Sequence, residues 1–172
     1  GNKDTVLVAV GTYTENIIWP DVNGIRLISE GDSSNTIIDG GGTSSVIYMN
    51  PQTATIDTTT LIQGFKITNG DNVSNGGGMY LNGSSPTLNN LRISGNSATD
   101  YGGGIHLDGS SPKITSVNIS ENTAPQGGGI YLTSSSPTLA NVNISGNTGN
   151  GSGGGMRLND NSNPILTNVV IS

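Results

Sequence analysis

Apolar and polar residues alternate along this chain in short runs that are separated by glycine-rich turns. In "GGIHL", Ile105 and Leu107 fall on one face and His106 on the other, which is the period-two pattern of a β-strand. "KITSVNIS" continues the pattern with Ile114 and Ile119, and it is rich in β-branched residues. No segment keeps a 3.6-residue period over ten residues, so the pattern predicts short strands and disfavours helices.

The runs recur with a fixed period. Glycine triplets begin at Gly76, Gly102, Gly127 and Gly153, in steps of 26, 25 and 26 residues. Three short strands and three turns in about 25 residues make one coil of a parallel β-solenoid, and coils stack about 4.8 Å apart. We therefore predict an all-β parallel β-helix with about 25–26 residues and three short strands per coil.

The prediction covers a single domain over residues 1–172. Residues 1–75 form irregular opening coils, and residues 76–172 form the regular GGG-type repeats. Within the opening coils, "VIYMN" aligns Tyr48 with Tyr80, and "GFKITNG" aligns Ile67 with Ile93. We also expect the domain to be a segment of a longer chain.

Recurrent residues in the turns are predicted to be structural. The first glycine of each triplet is placed where the chain must turn tightly or approach another backbone closely. A second recurrent set is expected at turns or in a hydrogen-bonded ladder along the stack: Asn96, Asn122 and Asn147. On the inner face, Ile119 is predicted to lie between Ile93 and Ile144.

Composition narrows the choice of partner. The chain of 172 residues carries a net charge of −6 and has 27 glycines and no cysteine. An acidic chain lacks the basic face that nucleic acids require, so we expect no nucleic-acid partner. No stretch approaches the roughly 20 apolar residues of a membrane span. No disulfide or thiol chemistry is available.

The repeats resemble known families. "ISGNSATDYGGGI" and "ISENTAPQGGGI" resemble the paired GGA[IL] and FxxN repeats of chlamydial polymorphic outer membrane proteins, although Ile or Leu stands in the Phe position. They are similar still more closely to secreted bacterial right-handed β-helix proteins with repeats of the type "SSPTL-N-xISGN-A-GGGI". The opening "DTVLVAVGTYTENI" is similar to the start of pectin methylesterase-like and pectate lyase-like β-helices. The resemblance implies a right-handed helix and an extracellular or cell-surface location.

The sequence offers few residues that could form a catalytic site. A pectate-lyase-like mechanism needs clustered carboxylates to hold calcium and a basic residue to take a proton. Asp108 and Asp160 are predicted to share a column, but two coils apart, near 10 Å. His106 is the only histidine, and a lone histidine on a strand surface is usually an ordinary strand residue. We predict no catalytic residue, no metal site and no cofactor; Ca²⁺ remains an option that no motif supports.

Two outward columns are the candidate binding residues. The first strands place four rings and a planar guanidinium in one column that can stack on sugar rings: Tyr48, Tyr80, His106, Tyr131 and Arg157. The alternative is that the rings pack on each other and shield the sheet. A second column begins with Lys66 and Arg92, which can contact a polyanion, or can simply form a solvated face.

These observations favour a non-catalytic extracellular or cell-surface β-helix that serves adhesion, binding of a glycan or protein, or scaffolding. One alternative is a polysaccharide lyase or pectin-esterase-like enzyme whose catalytic residues lie in Asp-bearing loops. Another is a fibre subunit that stacks on copies of itself through its coil ends. The fold alone does not decide among them, because it hosts lyases, hydrolases, esterases, adhesins and fibres.

Overall fold

A computed structural model describes residues 4–172, and these form a parallel β-solenoid of twenty short strands without a helix. The all-β solenoid prediction is confirmed. Consecutive coils place equivalent residues next to each other, as in Asn96 and Asn122, 26 residues apart, and Asn122 and Asn147, 25 residues apart. The predicted coil length is therefore correct for the regular repeats.

The strands form three parallel ladders, two of which belong to a twelve-stranded sheet. Its first ladder consists of β1 Thr5–Val8, β4 Arg26–Ser29, β7 Leu61–Gln63, β10 Thr87–Asn89, β13 Lys113–Thr115, β17 Thr138–Ser145 and β20 Ile165–Ile171. Its second ladder consists of β2 Gly11–Thr14, β5 Thr36–Asp39, β8 Lys66–Thr68, β11 Arg92–Ser94 and β14 Asn118–Ser120, and joins the first at β17.

The third ladder is a separate six-stranded sheet. It consists of β3 Ile17–Ile18, β6 Ile47–Met49, β9 Met79–Asn82, β12 Ile105–Asp108, β16 Ile130–Thr133 and β19 Met156–Asn159. A two-stranded ribbon, β15 Thr123–Gln126 with β18 Thr148–Ser152, lies before the last two of these strands.

A single residue makes the bend between the first two ladders in each regular coil. Asn90, Ser116, Asn141 and Asn168 occupy it, with φ between 51° and 55°. This left-handed conformation is open mainly to Gly, Asn and Asp. The recurrent asparagine before the second ladder is explained by this requirement, and Ser116 is the one exception.

The core consists of the inward-facing residues of the strands, which stack from one coil to the next. Ile119 is fully buried and pairs in register with Ile93 on one side and Ile144 on the other. The predicted inner register is confirmed. Because strand side chains alternate, the intervening residues of each strand point to the outer surface.

A ladder of buried asparagines runs along one corner of the stack. The Asn96 Nδ2 donates to Asn122 Oδ1 at 2.9 Å, and Asn122 Nδ2 donates to Asn147 Oδ1 at 2.9 Å. Each amide also donates to a carbonyl of the preceding coil, as Asn122 does to Ile93 at 2.9 Å. The side chains thus satisfy turn groups that would otherwise be buried without partners.

The glycine triplets lie where coils touch. Gly76, Gly102, Gly127 and Gly153 have φ between 62° and 65°, in the left-handed region. The second glycine of a triplet is required for a different reason, since a Cβ on Gly103 would overlap the Thr123 backbone. Backbone contact between coils leaves no room there for any side chain.

Candidate functional site

The ring column lies on the outer face of the six-stranded sheet, as predicted. Register partners run from Ile18 through five residues: Tyr48, Tyr80, His106, Tyr131 and Arg157. Neighbouring ring centroids are 5.1–5.3 Å apart. The planes are tilted by 37°, 56° and 87°, so the rings pack on each other and do not form one flat platform.

One half of this column is covered. Tyr101, from the turn before β12, lies over two of its rings, with centroids 5.9 Å from His106 and 4.6 Å from Tyr131. As a result His106 is only 4% exposed and Tyr131 only 6% exposed. The interpretation of His106 as a surface histidine is therefore wrong: it is outward-pointing but buried beneath another side chain.

The environment of His106 keeps its imidazole neutral. Neither ring nitrogen has a hydrogen-bond partner among residues 4–172. Burial lowers the pKa of His106 to about 4, although the carboxylate of Asp108 acts in the opposite direction. A covered imidazole with this pKa is a packing residue and is poorly placed to exchange protons with a substrate.

The other half of the column is open. Tyr48 and Tyr80 are half-buried and line a cleft of about 340 Å³. The remaining walls are small and mostly polar: Ser44, Ser45, Val73, Ser74 and Asn75. Two partly exposed rings beside hydroxyl and amide groups suit a ligand with both apolar faces and hydroxyls.

One position accounts for part of the difference between the two halves. Asn75 and Tyr101 are bridge partners in adjacent coils, and each immediately precedes a glycine triplet. Tyr101 is long enough to reach over His106 and Tyr131, whereas Asn75, which precedes Tyr80 as Tyr101 precedes His106, is short and leaves Tyr80 uncovered. The Asn75 Oδ1 is itself buried and has no hydrogen-bond partner in the described residues.

Polar side chains form a second column beside the rings. Asn82 Nδ2 donates to Asn50 Oδ1 at 3.2 Å, and Asn50 Nδ2 donates to the Tyr48 hydroxyl at 3.1 Å. The Tyr80 hydroxyl points to Asp108 Oδ2 at 3.5 Å. Burial, followed by the charge of Asp108, raises the pKa of Tyr80. The tyrosine hydroxyls therefore contact amide and carboxylate groups that lie outside the lining of the cleft.

Sequence reasoning aligned the ring column correctly and missed what lies over it. The cleft residues Ser44, Ser74 and Asn75 and the covering residue Tyr101 all come from turns. A signal was present, because the residue before each triplet changes from Asn75 to Tyr101, Gln126 and Ser152 while the triplet itself stays constant. At the last of these positions the Arg157 guanidinium donates to the Ser152 hydroxyl.

The second predicted column also has the expected register. Lys66, Arg92 and Asn118 are consecutive partners on β8, β11 and β14, which belong to a different sheet from the rings. Lys66 is half-buried, and Arg92 is exposed. The two cations thus lie on adjacent strands of the twelve-stranded sheet.

The carboxylates do not assemble as a lyase-type cluster. The expectation that Asp160 shares a column with Asp108 is wrong: the register partners of Asp108 lead through Thr133 to Asn159. Asp160 lies one residue further, in the turn, and accepts from the Thr133 hydroxyl at 2.8 Å. Within residues 4–172 no three His, Asp or Glu side chains come together to hold a metal ion.

Loop aspartates have structural partners. The Thr53 hydroxyl, followed by the Ala54 amide, holds the pKa of Asp21 below its usual value. The Ser34 hydroxyl and amide do the same for Asp32. Each carboxylate therefore acts as the acceptor that orders a turn.

Comparison with known proteins places the chain in a family. The family model described as "Right handed beta helix region" matches residues 10–172. No curated protein and no solved structure matches the chain. In the described part of the chain, no helix has the length and apolar character to cross a membrane. Since the match extends over nearly the whole chain, this protein belongs to the right-handed β-helix family.

Proposed function

We propose that this protein is a non-catalytic, extracellular or cell-surface β-helix that binds a glycan in the cleft over Tyr48 and Tyr80. The observation that carries the proposal is the open half of the ring column. Two rings 5.3 Å apart line a cleft of about 340 Å³, while the next two rings of the column, His106 and Tyr131, are buried.

The chemistry of the cleft supports a sugar ligand. The faces of Tyr48 and Tyr80 offer apolar surface for the C–H groups of a pyranose ring. Ser44 and Ser74 supply hydroxyls, and the Asn75 side chain lines the same cleft. A neutral oligosaccharide fits this combination, because the cleft is lined by uncharged side chains only.

A swap of the covering residue tests the proposal without altering the rings. Asn75→Tyr introduces the side chain that closes the column at Tyr101, so we expect at least a tenfold loss of affinity for immobilised neutral oligosaccharides on a glycan array. Asn75→Ser keeps the cleft open and serves as the control, and we expect it to weaken binding only a few-fold.

Three results would contradict the proposal. They are unchanged binding by Asn75→Tyr, equal loss by both variants, and no binding of any neutral oligosaccharide by the wild-type chain. Thermal melting of each variant shows whether a loss of binding reflects a loss of folding.

A specific observation also favours self-stacking as a second candidate. The two end coils expose large apolar side chains, among them Leu7 (61%) and Ile18 (78%) at one end and Ile165 (61%) and Val170 (56%) at the other. Among the described residues the terminal strands pair on one side only, so a second copy or a further coil of the same chain can pair with the other side. Concentration-dependent sedimentation of the 172-residue chain supports stacking of copies, and a strict monomer at high concentration excludes it.

A further inference from the structure

Four cations lie on the outer face of the twelve-stranded sheet, one in each of four consecutive coils. They are Arg26 on β4, Lys66 on β8, Arg92 on β11 and Lys113 on β13. Each alternates with a buried core residue, so all four point away from the core. Only one other cation, Arg157, lies in the part of the chain that the structure describes, and it is on the other sheet. We call these four residues and the strands between them the cationic face.

The cationic face contrasts with the overall charge of the chain. The chain has 12 acidic residues against 6 Lys and Arg. Yet the eight strands that carry this face, β4, β5, β7, β8, β10, β11, β13 and β14, contain one acidic residue, Asp39. Its carboxylate accepts from the Gly41 amide at 2.9 Å and from Asn69 Nδ2 at 2.9 Å. The acidic residues are otherwise placed in turns and on other strands.

Two of the cations are direct neighbours. Lys66 and Arg92 are register partners on adjacent parallel strands, about 4.8 Å apart along the stack. Like charges in adjacent cross-strand positions destabilise a sheet. An anionic group placed between them removes this repulsion, so the pair is better satisfied with a bound anion than without one.

A groove extends the cationic face on its first ladder. It has a volume of about 400 Å³ and is lined by Arg26, Thr58, Thr59, Leu61 and Thr87. The Thr87 hydroxyl donates to the Thr58 carbonyl at 2.9 Å, and the Thr59 hydroxyl donates to Asp57 Oδ1 at 2.6 Å. Both hydroxyl oxygens therefore still have acceptor capacity, which sugar hydroxyls can use.

Uncharged hydrogen-bonding groups separate the two ladders of the cationic face. Gln63, Asn89 and Thr115 occupy the last outward position before the bend in three successive coils. Asn89 Nδ2 donates to Gln63 Oε1 at 2.9 Å, which leaves the second amide hydrogen of Asn89 and the amide group of Gln63 for other partners. A ligand that crosses from Arg26 to Lys66 meets amides and hydroxyls on its way.

We propose that the cationic face binds a linear acidic polysaccharide, with Arg26, Lys66, Arg92 and Lys113 contacting its carboxylate or sulfate groups. The coils carrying Arg26 and Lys113 are three steps apart, about 14 Å at the spacing of strands. Such a span matches a short stretch of an extended polymer that carries anions at intervals and hydroxyls between them. This site lies on a different sheet from the cleft at Tyr48 and Tyr80 and does not depend on it.

A nucleic acid fits the same surface less well. Four cations on a chain of net charge −6 supply little of the electrostatic attraction that such a ligand needs. The strands of the cationic face also contain no aromatic side chain on which a base can stack. Spaced anions and many hydroxyls describe the ligand better than a continuous phosphate backbone and bases.

The test uses biolayer interferometry with the whole 172-residue chain and immobilised alginate, dextran sulfate and neutral dextran. We expect binding to alginate or dextran sulfate that weakens as NaCl is raised, whereas any binding to neutral dextran through the cleft should not depend on NaCl. The double variant Lys66→Gln/Arg92→Gln should lose at least tenfold in affinity. Arg157→Gln removes one charge from the other sheet and is the matched control, with a change below about twofold.

The arms of the experiment separate the outcomes. Binding to alginate alone assigns carboxylates, binding to dextran sulfate alone assigns sulfates, and binding to both supports recognition of either anion. Absence of binding to both polymers overturns the proposal, and so does an equal loss in Arg157→Gln and the double variant. Equal or tighter binding to single-stranded DNA also overturns it. Asn75→Tyr should leave this binding unchanged, which distinguishes the site from the cleft.

Discussion

The two halves of the ring column lie on the same sheet with the same register and spacing, but their side chains differ in accessibility. At Tyr48 and Tyr80 the rings border an open cleft, whereas at His106 and Tyr131 they are 4% and 6% exposed. For Tyr80 the cause lies outside the column, in the exchange of Asn75 for Tyr101 one coil later. In a repeat protein, a turn residue can thus decide whether part of a repeated column is exposed or buried.

Replacing one tyrosine from each half should show this difference most strongly. Tyr131→Ser removes a buried ring that packs on Tyr101 and His106, at 4.6 and 5.1 Å, and we expect a loss of about 3 kcal/mol of unfolding free energy. Tyr48→Ser, in the open half, should cost less than about 1 kcal/mol. Urea unfolding measures both values. Equal losses would mean that the halves do not differ in packing.

Acid should destabilise the covered half through His106. Because its folded pKa of about 4 lies below the usual value of 6.5, the unfolded chain binds a proton in this interval that the folded chain does not. His106 has no effect on stability above pH 6.5, and stability falls as pH decreases towards 4, by about 3 kcal/mol in total.

The control for this effect is His106→Phe, which keeps every carboxylate. The difference between the two stability profiles, measured by urea unfolding from pH 7 to pH 4.5, isolates the contribution of the single histidine. Parallel profiles would show that the imidazole is accessible to protons in the folded state.

Replacing Tyr101, which lies over His106 and Tyr131, should make the covered half of the ring column resemble the open half. Tyr101→Asn is expected to cost about 1–2 kcal/mol, since it removes two ring contacts. It should also move the pKa of His106 back towards its ordinary value, because burial is the main cause of the shift. NMR titration of the only imidazole signal follows this change. An unaltered pKa would assign the burial of His106 to residues other than Tyr101.

A smaller change in unfolding free energy is expected at the turn that contains Glu121. Glu121 has a φ of 59°, and the equivalent positions one coil before and after are Gly95 (68°) and Gly146 (61°). Glu121→Gly should raise the unfolding free energy by about 1 kcal/mol, because a side chain disfavours this conformation. Thermal melting with Gly146→Glu as the reverse variant tests it, and a decrease in stability for Glu121→Gly would show that its side chain contributes more than its backbone costs.

Most of the fold could be predicted from the sequence because each residue type recurs at one place in the coil. Ile93, Ile119 and Ile144 gave the inner register, and the glycine triplets gave the coil boundaries. The column of Tyr48, Tyr80 and His106 followed from the same alignment. Periodicity works here because neighbouring coils impose the same surroundings on equivalent residues.

The accessibility of the site could not be predicted in the same way. Whether Tyr101 lies over His106 depends on the path of a turn and on the length of one side chain, neither of which has a period. The placement of Asp160 failed because its turn has one additional residue before Pro164: counting back from the proline selects Asp160, whereas counting from the glycine triplet selects Asn159, the true partner. Turn residues carry the individual features of each coil, and alignment on the strands passes over them.

The buried asparagines have a consequence for how such a chain can change its length. The Gly70 amide donates to Asn96 Oδ1 at 2.9 Å, and the Asn96 amide donates to Asn122 Oδ1 at 3.0 Å, so the chain of donors starts on an ordinary backbone amide. Each asparagine side-chain oxygen accepts from amides of the preceding coil, and the amides of the same asparagine donate to the asparagine of the next coil. A gene duplication that adds a whole coil therefore leaves no buried donor or acceptor without a partner, and growth in units of one coil is chemically neutral at this corner. An insertion of half a coil would break the ladder, which favours a protein that evolves its length in whole turns.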